Sequence, residues 1–249
     1  MSAFASTVDR YQRYRPPYPE AFFSAVAAAL DFMPTHRLLD LGTGPGVLAL
    51  GFAPFVGWAT GVDPEPAMLA AARANAEAAG YPLALIEGKA EQADDSLGRF
   101  EVVTIGRALH WMDTDRLRPV LESRTAPDGV ILVCRSGTAK DGSNPWIEAY
   151  ERVRTDWAGP ITDRRYPRDL EALVQGTRFS VGRAITVRSD HAVPVDDLCQ
   201  RMLTFSTTSP AVIGGRALDM LSETREALLP FSENGVIAES VEASAVVVR

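Results

Sequence analysis

Three alternate glycines and two aspartates hold the clearest chemistry in this chain. Gly42, Gly44 and Gly46 follow the short apolar run Leu38-Leu39-Asp40-Leu41, and Val47-Leu48-Ala49-Leu50 continues as an apolar stretch. That order predicts a buried parallel strand, a tight turn and a helix. Glycine at such a turn accepts positive φ and lets the backbone approach a ligand. The first N–H groups of the helix then face whatever the turn holds. Asp40 stands just before the turn, and Asp63 closes the next apolar run, seventeen residues beyond Gly46. A carboxylate at the tip of a second strand can take both hydroxyls of a ribose. An acid in front of the turn would repel a pyrophosphate but could face an ammonium group. The spacing is G-x-G-x-G, with Val47 where the G-x-G-x-x-G dinucleotide pattern has its third glycine.

A second reactive stretch is Gly106-Arg107-Ala108-Leu109-His110-Trp111-Met112-Asp113, after the apolar run 100–105. His110 is the one candidate general base near the expected site, since an unperturbed imidazole titrates near ~6.5. It can equally be a packing histidine. Trp111 can wall a reaction pocket or pack beneath it. Arg107 and Arg135 each follow a sheet strand, where a guanidinium can grip a carboxylate with two parallel hydrogen bonds or simply be solvated. No His/Cys/Asp spacing suggests a metal site, and neither a nucleophilic triad nor a P-loop is visible.

These residues need an open α/β sheet, in which ligands sit outside the carboxyl ends of the strands. The expected strands are 38–41, 59–63, 83–87, 100–105, 129–134, 179–187 and 241–248. Helices are expected over 20–30, 48–53, 67–79, 114–125, 144–157, 169–175, 196–205 and 215–229. Asp113 is expected to cap the fourth of these, and 127–129 and 190–195 read as a turn and a loop. Prolines 16, 17 and 19 predict an ordered, non-helical strap over 11–19. Arg164-Arg165-Tyr166-Pro167-Arg168 reads as a charged connector.

The segments Asp40-Leu41-Gly42-x-Gly44-x-Gly46 and Val62-Asp63 resemble the class I S-adenosylmethionine-dependent methyltransferases. The stretch Ala108-x-His110-Trp111-x-Asp113 resembles the trans-aconitate methyltransferase group. Glu101, where many members carry Asp, and Arg107, where smaller residues are frequent, depart from it. The resemblance covers most of the chain and implies one Rossmann-like domain over 1–249. Its parts would be a strap (1–19), a cofactor core (20–134), a substrate cover (135–178) and a C-terminal part (179–249). The sheet would have seven strands, mostly parallel, with helices on both faces and the last strand inserted antiparallel. S-adenosylmethionine would be the cofactor, and methyl transfer to an oxygen or nitrogen of a small, possibly anionic, molecule the reaction.

By the same resemblance Tyr14 or Arg15 would meet the cofactor's methionine carboxylate. Asp40, Gly42, Gly44, Gly46, Asp63, Pro64 and Gly106 would line its site. Met68 would lie against adenine or fill the core, and Glu91, with the Ala90 amide, would meet the adenine amino group. Tyr11, Arg107, Trp111, Arg135 and Trp146 are the acceptor-side candidates. The alternatives are an NAD(P)-dependent oxidoreductase on a similar sheet, and a domain that binds S-adenosylmethionine without transferring its methyl.

The 249 residues suit one α/β domain, and a net charge of −7 argues against a nucleic-acid partner. Two cysteines imply no disulfide framework. The first residues lack a basic, then apolar, leader, and no run reaches membrane-spanning length. A cytoplasmic protein is therefore expected, with its oligomeric state open.

Overall fold

The computed structural model describes residues 10–158 and 169–249. The connector at 164–168 and the first nine residues lie outside them. Among the described residues, seven strands form one sheet in the order β3-β2-β1-β4-β5-β7-β6. They are β1 Arg37–Leu41, β2 Trp58–Asp63, β3 Leu83–Glu87, β4 Phe100–Gly106, β5 Thr125–Thr138, β6 Val181–Pro194 and β7 Val236–Val248. β1 pairs in parallel with β2 and β4, as do β2 with β3 and β4 with β5. Ser180 and Arg249, flanking β6 and β7, exchange both backbone hydrogen bonds (2.6 and 3.1 Å), which marks an antiparallel pairing. The sheet is therefore mixed, as expected.

The helices are α1 Glu20–Ala29, α2 Val47–Phe52, α3 Pro66–Ala79, α4 Thr114–Arg124, α5 Ile147–Asp156, α6 Leu170–Val174, α7 Val195–Met202, α8 Pro210–Ile213 and α9 Ala217–Leu228. Local chemistry sets several ends. Pro66 opens α3, and Gly80 closes it in the left-handed region at φ 71°. The Asp113 carboxylate caps α4 by accepting from the amides of Asp115 and Arg116.

Four expectations change. Residues 10–14 are helical, because the proline constraint acts on Arg15 and beyond and leaves the preceding turn free. The expected turn at 127–129 is an irregularity inside β5, where Phe100 pairs with Thr125 but Val102 already pairs with Val130. β6 runs on to Pro194, through all but the last residue of the expected loop at 190–195, its burial still alternating residue by residue. β7 starts at Val236, five residues before the expected strand.

The contacts divide the chain into two units. One holds Tyr18–Arg135, Asp163–Val187 and Ala243–Arg249; the other holds Met1–Pro17, Ser136–Thr162 and Arg188–Glu242. In the first, alternate strand residues feed two apolar clusters. Leu39, Leu41, Val103, Ile105 and Ile131 point into one, and Leu38, Val102, Val130 and Leu132 into the other. These are the two faces of a sheet with side-chain period two. Rings of Phe22, Phe23 and Phe52 interlock on the second face.

The second unit has its own core around Trp146, Tyr150, Leu198, Met202 and Met220. Its buried ion pair is two-pronged: Arg201 Nη1 and Nη2 donate to Glu239 Oε1 and Oε2 at 2.6 and 2.8 Å. Arg201 Nε also donates to the Tyr14 carbonyl at 2.6 Å, and Thr138 donates to Glu239 at 2.6 Å. Among the described residues no helix is long and apolar enough to cross a membrane.

Candidate functional site

The sheet order reverses between β1 and β4: the chain goes outward through β2 and β3, then returns to the other side of β1. The crevice at the carboxyl ends of the strands there is where open α/β sheets hold ligands. The glycine turn follows β1 at this point. Its three glycines sit at φ 69°, 53° and 84°, a region that penalises any residue with a Cβ. The amides of Gly42 and Thr43 both donate to the Val62 carbonyl, at 2.9 and 3.0 Å. Asn75 of α3 donates to the Pro45 carbonyl at 2.9 Å. The turn is thus tied to β2 and α3 as well as to its own strand.

Asp63 ends β2 beside the turn. Its Oδ2 accepts the Gly44 amide at 2.8 Å and its Oδ1 the Glu65 amide at 2.9 Å. Burial raises its pKa from the ordinary carboxylate value, while those two amides act in the opposite direction. Each carboxylate oxygen can accept more than one hydrogen bond, so Asp63 retains acceptor capacity for ligand hydroxyls. Pro64 is exposed next to it, and Met68 is half-buried in the first turn of α3. The Met68 sulfur is the nearest atom, at 4.0 Å, to where a Cβ on Gly44 would stand.

Asp40 does not face outward as expected. It is 1% exposed. Thr43 Oγ1 donates to its Oδ2 and Thr104 Oγ1 to its Oδ1, both at 2.7 Å. The Ala49 amide is a further donor. These contacts turn the carboxylate into the sheet, where it supports the turn from below. Burial, only partly offset by these donors, pushes its pKa up to about 6 from 3.8. The folded protein therefore keeps this proton to a higher pH than the unfolded chain does. Asp40 favours the fold below the lower value, and that contribution is lost as pH rises through the upper one. The rise from 3.8 to about 6 corresponds to ~3 kcal/mol. Asp40→Asn gives part of this back in hydrogen bonds that its single acceptor oxygen cannot keep, so the variant should raise Tm at pH 8 by roughly 2–4 °C. It should also flatten the dependence of Tm on pH between 4 and 6, as read by scanning calorimetry. A variant less stable than wild type at pH 8 would contradict this account.

The β4 end supplies the other wall. Gly106 pairs with Cys134 of β5, and the Arg107 amide donates to the Cys134 carbonyl at 3.2 Å. Arg107 and Arg135 therefore follow neighbouring strand positions. Arg107 sits at φ 54°, unusual for a residue with a Cβ, and its guanidinium lies 4.9 Å from the Tyr18 ring centroid. Arg135 is exposed, and its Nε donates to Ser244 at 3.0 Å. Leu109–Trp111 form a single 3₁₀ turn. It holds the His110 and Trp111 rings 4.8 Å apart and leaves Trp111 54% exposed. Ala90 is buried. The Glu91 carboxylate accepts the Asp113 amide at 2.6 Å, so one of its oxygens already serves the start of α4.

Four candidates belong to the other unit. Trp146 is 1% exposed and its indole donates to the Ala238 carbonyl at 3.1 Å, so it is a core residue and not a ligand wall. The Tyr14 carbonyl is held by Arg201, and Arg15 donates to the Thr204 carbonyl at 2.7 Å. The Arg15 guanidinium lies 4.3 Å from the Phe205 ring centroid and 5.3 Å from that of Tyr11. Thr43, Thr104, Asn75 and Gly61 escaped the sequence reading. A glycine inside a strand, such as Gly61, marks a close approach by another segment, and here it admits Thr43.

Comparison with known proteins agrees with this geometry. The family described as "Methyltransferase domain" matches residues 38–125, which span the glycine turn, Asp63 and the β4 end. An uncharacterized methyltransferase of Mycobacterium tuberculosis (strain H37Rv) is 28% identical over 228 residues, covering 89% of this chain and 84% of the relative. A solved structure from Anaeromyxobacter dehalogenans, assigned as a candidate type II methyltransferase, superposes with TM-score 0.66 at 20% identity, covering 94% and 96% of the two chains. A SAM-dependent methyltransferase from Thiobacillus denitrificans, solved with S-adenosyl-L-homocysteine, superposes with TM-score 0.52 at 15% identity, covering 100% and 98%. This chain carries a methyltransferase domain, in which the switch-point turn and its partner carboxylate lie. It is an enzyme that uses S-adenosylmethionine.

Proposed function

We propose that the enzyme transfers a methyl group to an oxygen or nitrogen of a small, anionic molecule. The carrying observation is the pair of arginines at neighbouring strand ends, one of them held in a rare backbone conformation. Non-glycine residues at positive φ cost energy and cluster at functional sites. Arg107 at φ 54°, stacked on Tyr18, is such a residue. A guanidinium fixed against a ring is well prepared to grip a carboxylate.

The residues around the turn fit the cofactor. Gly44 has open space where a Cβ would stand, with Met68 sulfur at its margin, and Asp63 offers buried acceptor capacity beside it. In this reading Asp63 takes the ribose hydroxyls and the turn lies against the methionine part. Met68 and the Ala90 amide border the adenine. The cofactor, when bound, supplies a methyl already activated on a sulfonium. The protein's own task is to align the acceptor and exclude water. Arg107 and Arg135 orient the acceptor's negative charge, and Trp111 covers it. His110 takes a proton from an acceptor that arrives protonated. An acceptor that arrives ionised needs no such base.

Labelled methyl donor, incubated with cell extract split by ultrafiltration, tests the acceptor class. Label should appear in the small-molecule fraction and be retained on an anion exchanger. Label confined to protein or RNA would reject this reading. With an acceptor in hand, Arg107→Ala should raise its KM about tenfold with little change in kcat, since a gripping residue contributes uniform binding. An unchanged KM would remove the arginine from the account.

A further inference from the structure

We propose that Thr104 is a positioning residue for the cofactor turn, acting on it through Asp40 and Thr43. The inference rests on the reading that this turn holds the cofactor, and adds how the turn is kept in shape. Strand register sets up the relay. In β1, Asp40 stands between Gly61 of β2 and Thr104 of β4. All three fall on the sheet face that carries Leu38 and Val102. Thr104 donates its hydroxyl to one Asp40 oxygen, and Thr43 donates its own to the other. Thr43 reaches down because Gly61 leaves room: a Cβ there would stand 2.8 Å from both Thr43 Cγ2 and Oγ1.

The relay continues into the turn itself. Thr43 also fixes its backbone, its amide donating to Val62 and its carbonyl accepting from Gly46, at 3.0 and 2.9 Å. Gly44 is the next residue, and its amide meets Asp63. A hydroxyl on β4 thus steadies the turn through two intervening side chains. Thr104 itself is fully buried and does not line the site. Without it, one oxygen of the buried carboxylate loses its hydroxyl donor, and Thr43 is left as the only side-chain donor to Asp40 among the described residues. A valine at 104 would keep the shape and lose the donor. A serine would keep the donor.

Two measurements on the intact protein test the relay: calorimetric titration with S-adenosylhomocysteine, and amide hydrogen exchange of the peptide containing residues 42–46. Thr104→Val should raise Kd about tenfold and speed exchange in that peptide about tenfold, with β2 and β3 exchanging as before. Thr104→Ser should return both to within about threefold of wild type. Thr43→Val, which cuts the relay from the turn side, should loosen the same peptide. An unchanged turn in Thr104→Val, faster exchange throughout the sheet, or a serine variant as impaired as the valine variant would each overturn the proposal. A wild-type protein that does not bind S-adenosylhomocysteine would overturn the cofactor assignment instead. Turn exchange, which needs no ligand, would then decide the role of Thr104 alone.

Discussion

Asp63→Asn is expected to weaken S-adenosylhomocysteine binding about 100-fold, the effect of losing one or two charge-assisted hydrogen bonds at roughly 1.5–3 kcal/mol each. Two losses combine. The carboxylate accepts from the Gly44 and Glu65 amides, one on each oxygen. An asparagine has a single acceptor oxygen, so its NH₂ must confront one of those N–H groups. The same substitution removes the negative charge offered to the ribose hydroxyls. Isothermal titration reads the change directly. A Kd within about threefold of wild type would mean that Asp63 only shapes the turn and does not touch the ligand.

Gly42→Ala is expected to destabilise the protein by about 2–5 kcal/mol, combining left-handed strain with overpacking. Gly42 sits at φ 69°, and an added Cβ would stand 2.5 Å from Ala108 Cβ and 3.0 Å from Met112 Cε. The Met112 methyl can swing away. Ala108 cannot, because its Cβ is fixed by the backbone leading out of β4. The strain therefore falls on the junction that presents His110 and Trp111. A fall in Tm of roughly 10 °C is expected. Gly44→Ala serves as the comparison, since its φ is 53° but its Cβ would meet nothing nearer than 4.0 Å. It should cost only the backbone strain. Equal losses at the two positions would refute the steric argument for Gly42.

Much of this architecture was legible because apolar periodicity and turn chemistry agreed. The first four strands, the α3 cap at Gly80 and the Asp113 cap all follow from local signals that tertiary packing did not override. Three of the misread places share a cause: polar groups that are buried through pairing. Glu239 interrupts the apolar pattern of β7, yet it is buried against Arg201, so the strand begins five residues earlier than its apolar half suggested. Asp40 illustrates the same thing at the site. Its type and position pointed to a ligand, but its orientation depended on Thr104, a residue sixty-four positions away that only strand register brings alongside. Trp146 sat at helical spacing among residues expected to cover a substrate, and the spacing alone did not reveal that its indole is spent on a carbonyl inside a separate core. The interval 135–178 likewise gave weak periodic signals, and its residues divide between the two units.

The most direct test of the central claim is a calorimetric titration of the wild-type protein with S-adenosylhomocysteine and, in parallel, with NAD. One site should bind S-adenosylhomocysteine, and NAD should produce no saturable heat. Saturable binding of NAD with none of S-adenosylhomocysteine would contradict the account, because the glycine turn and Asp63 would then serve a dinucleotide.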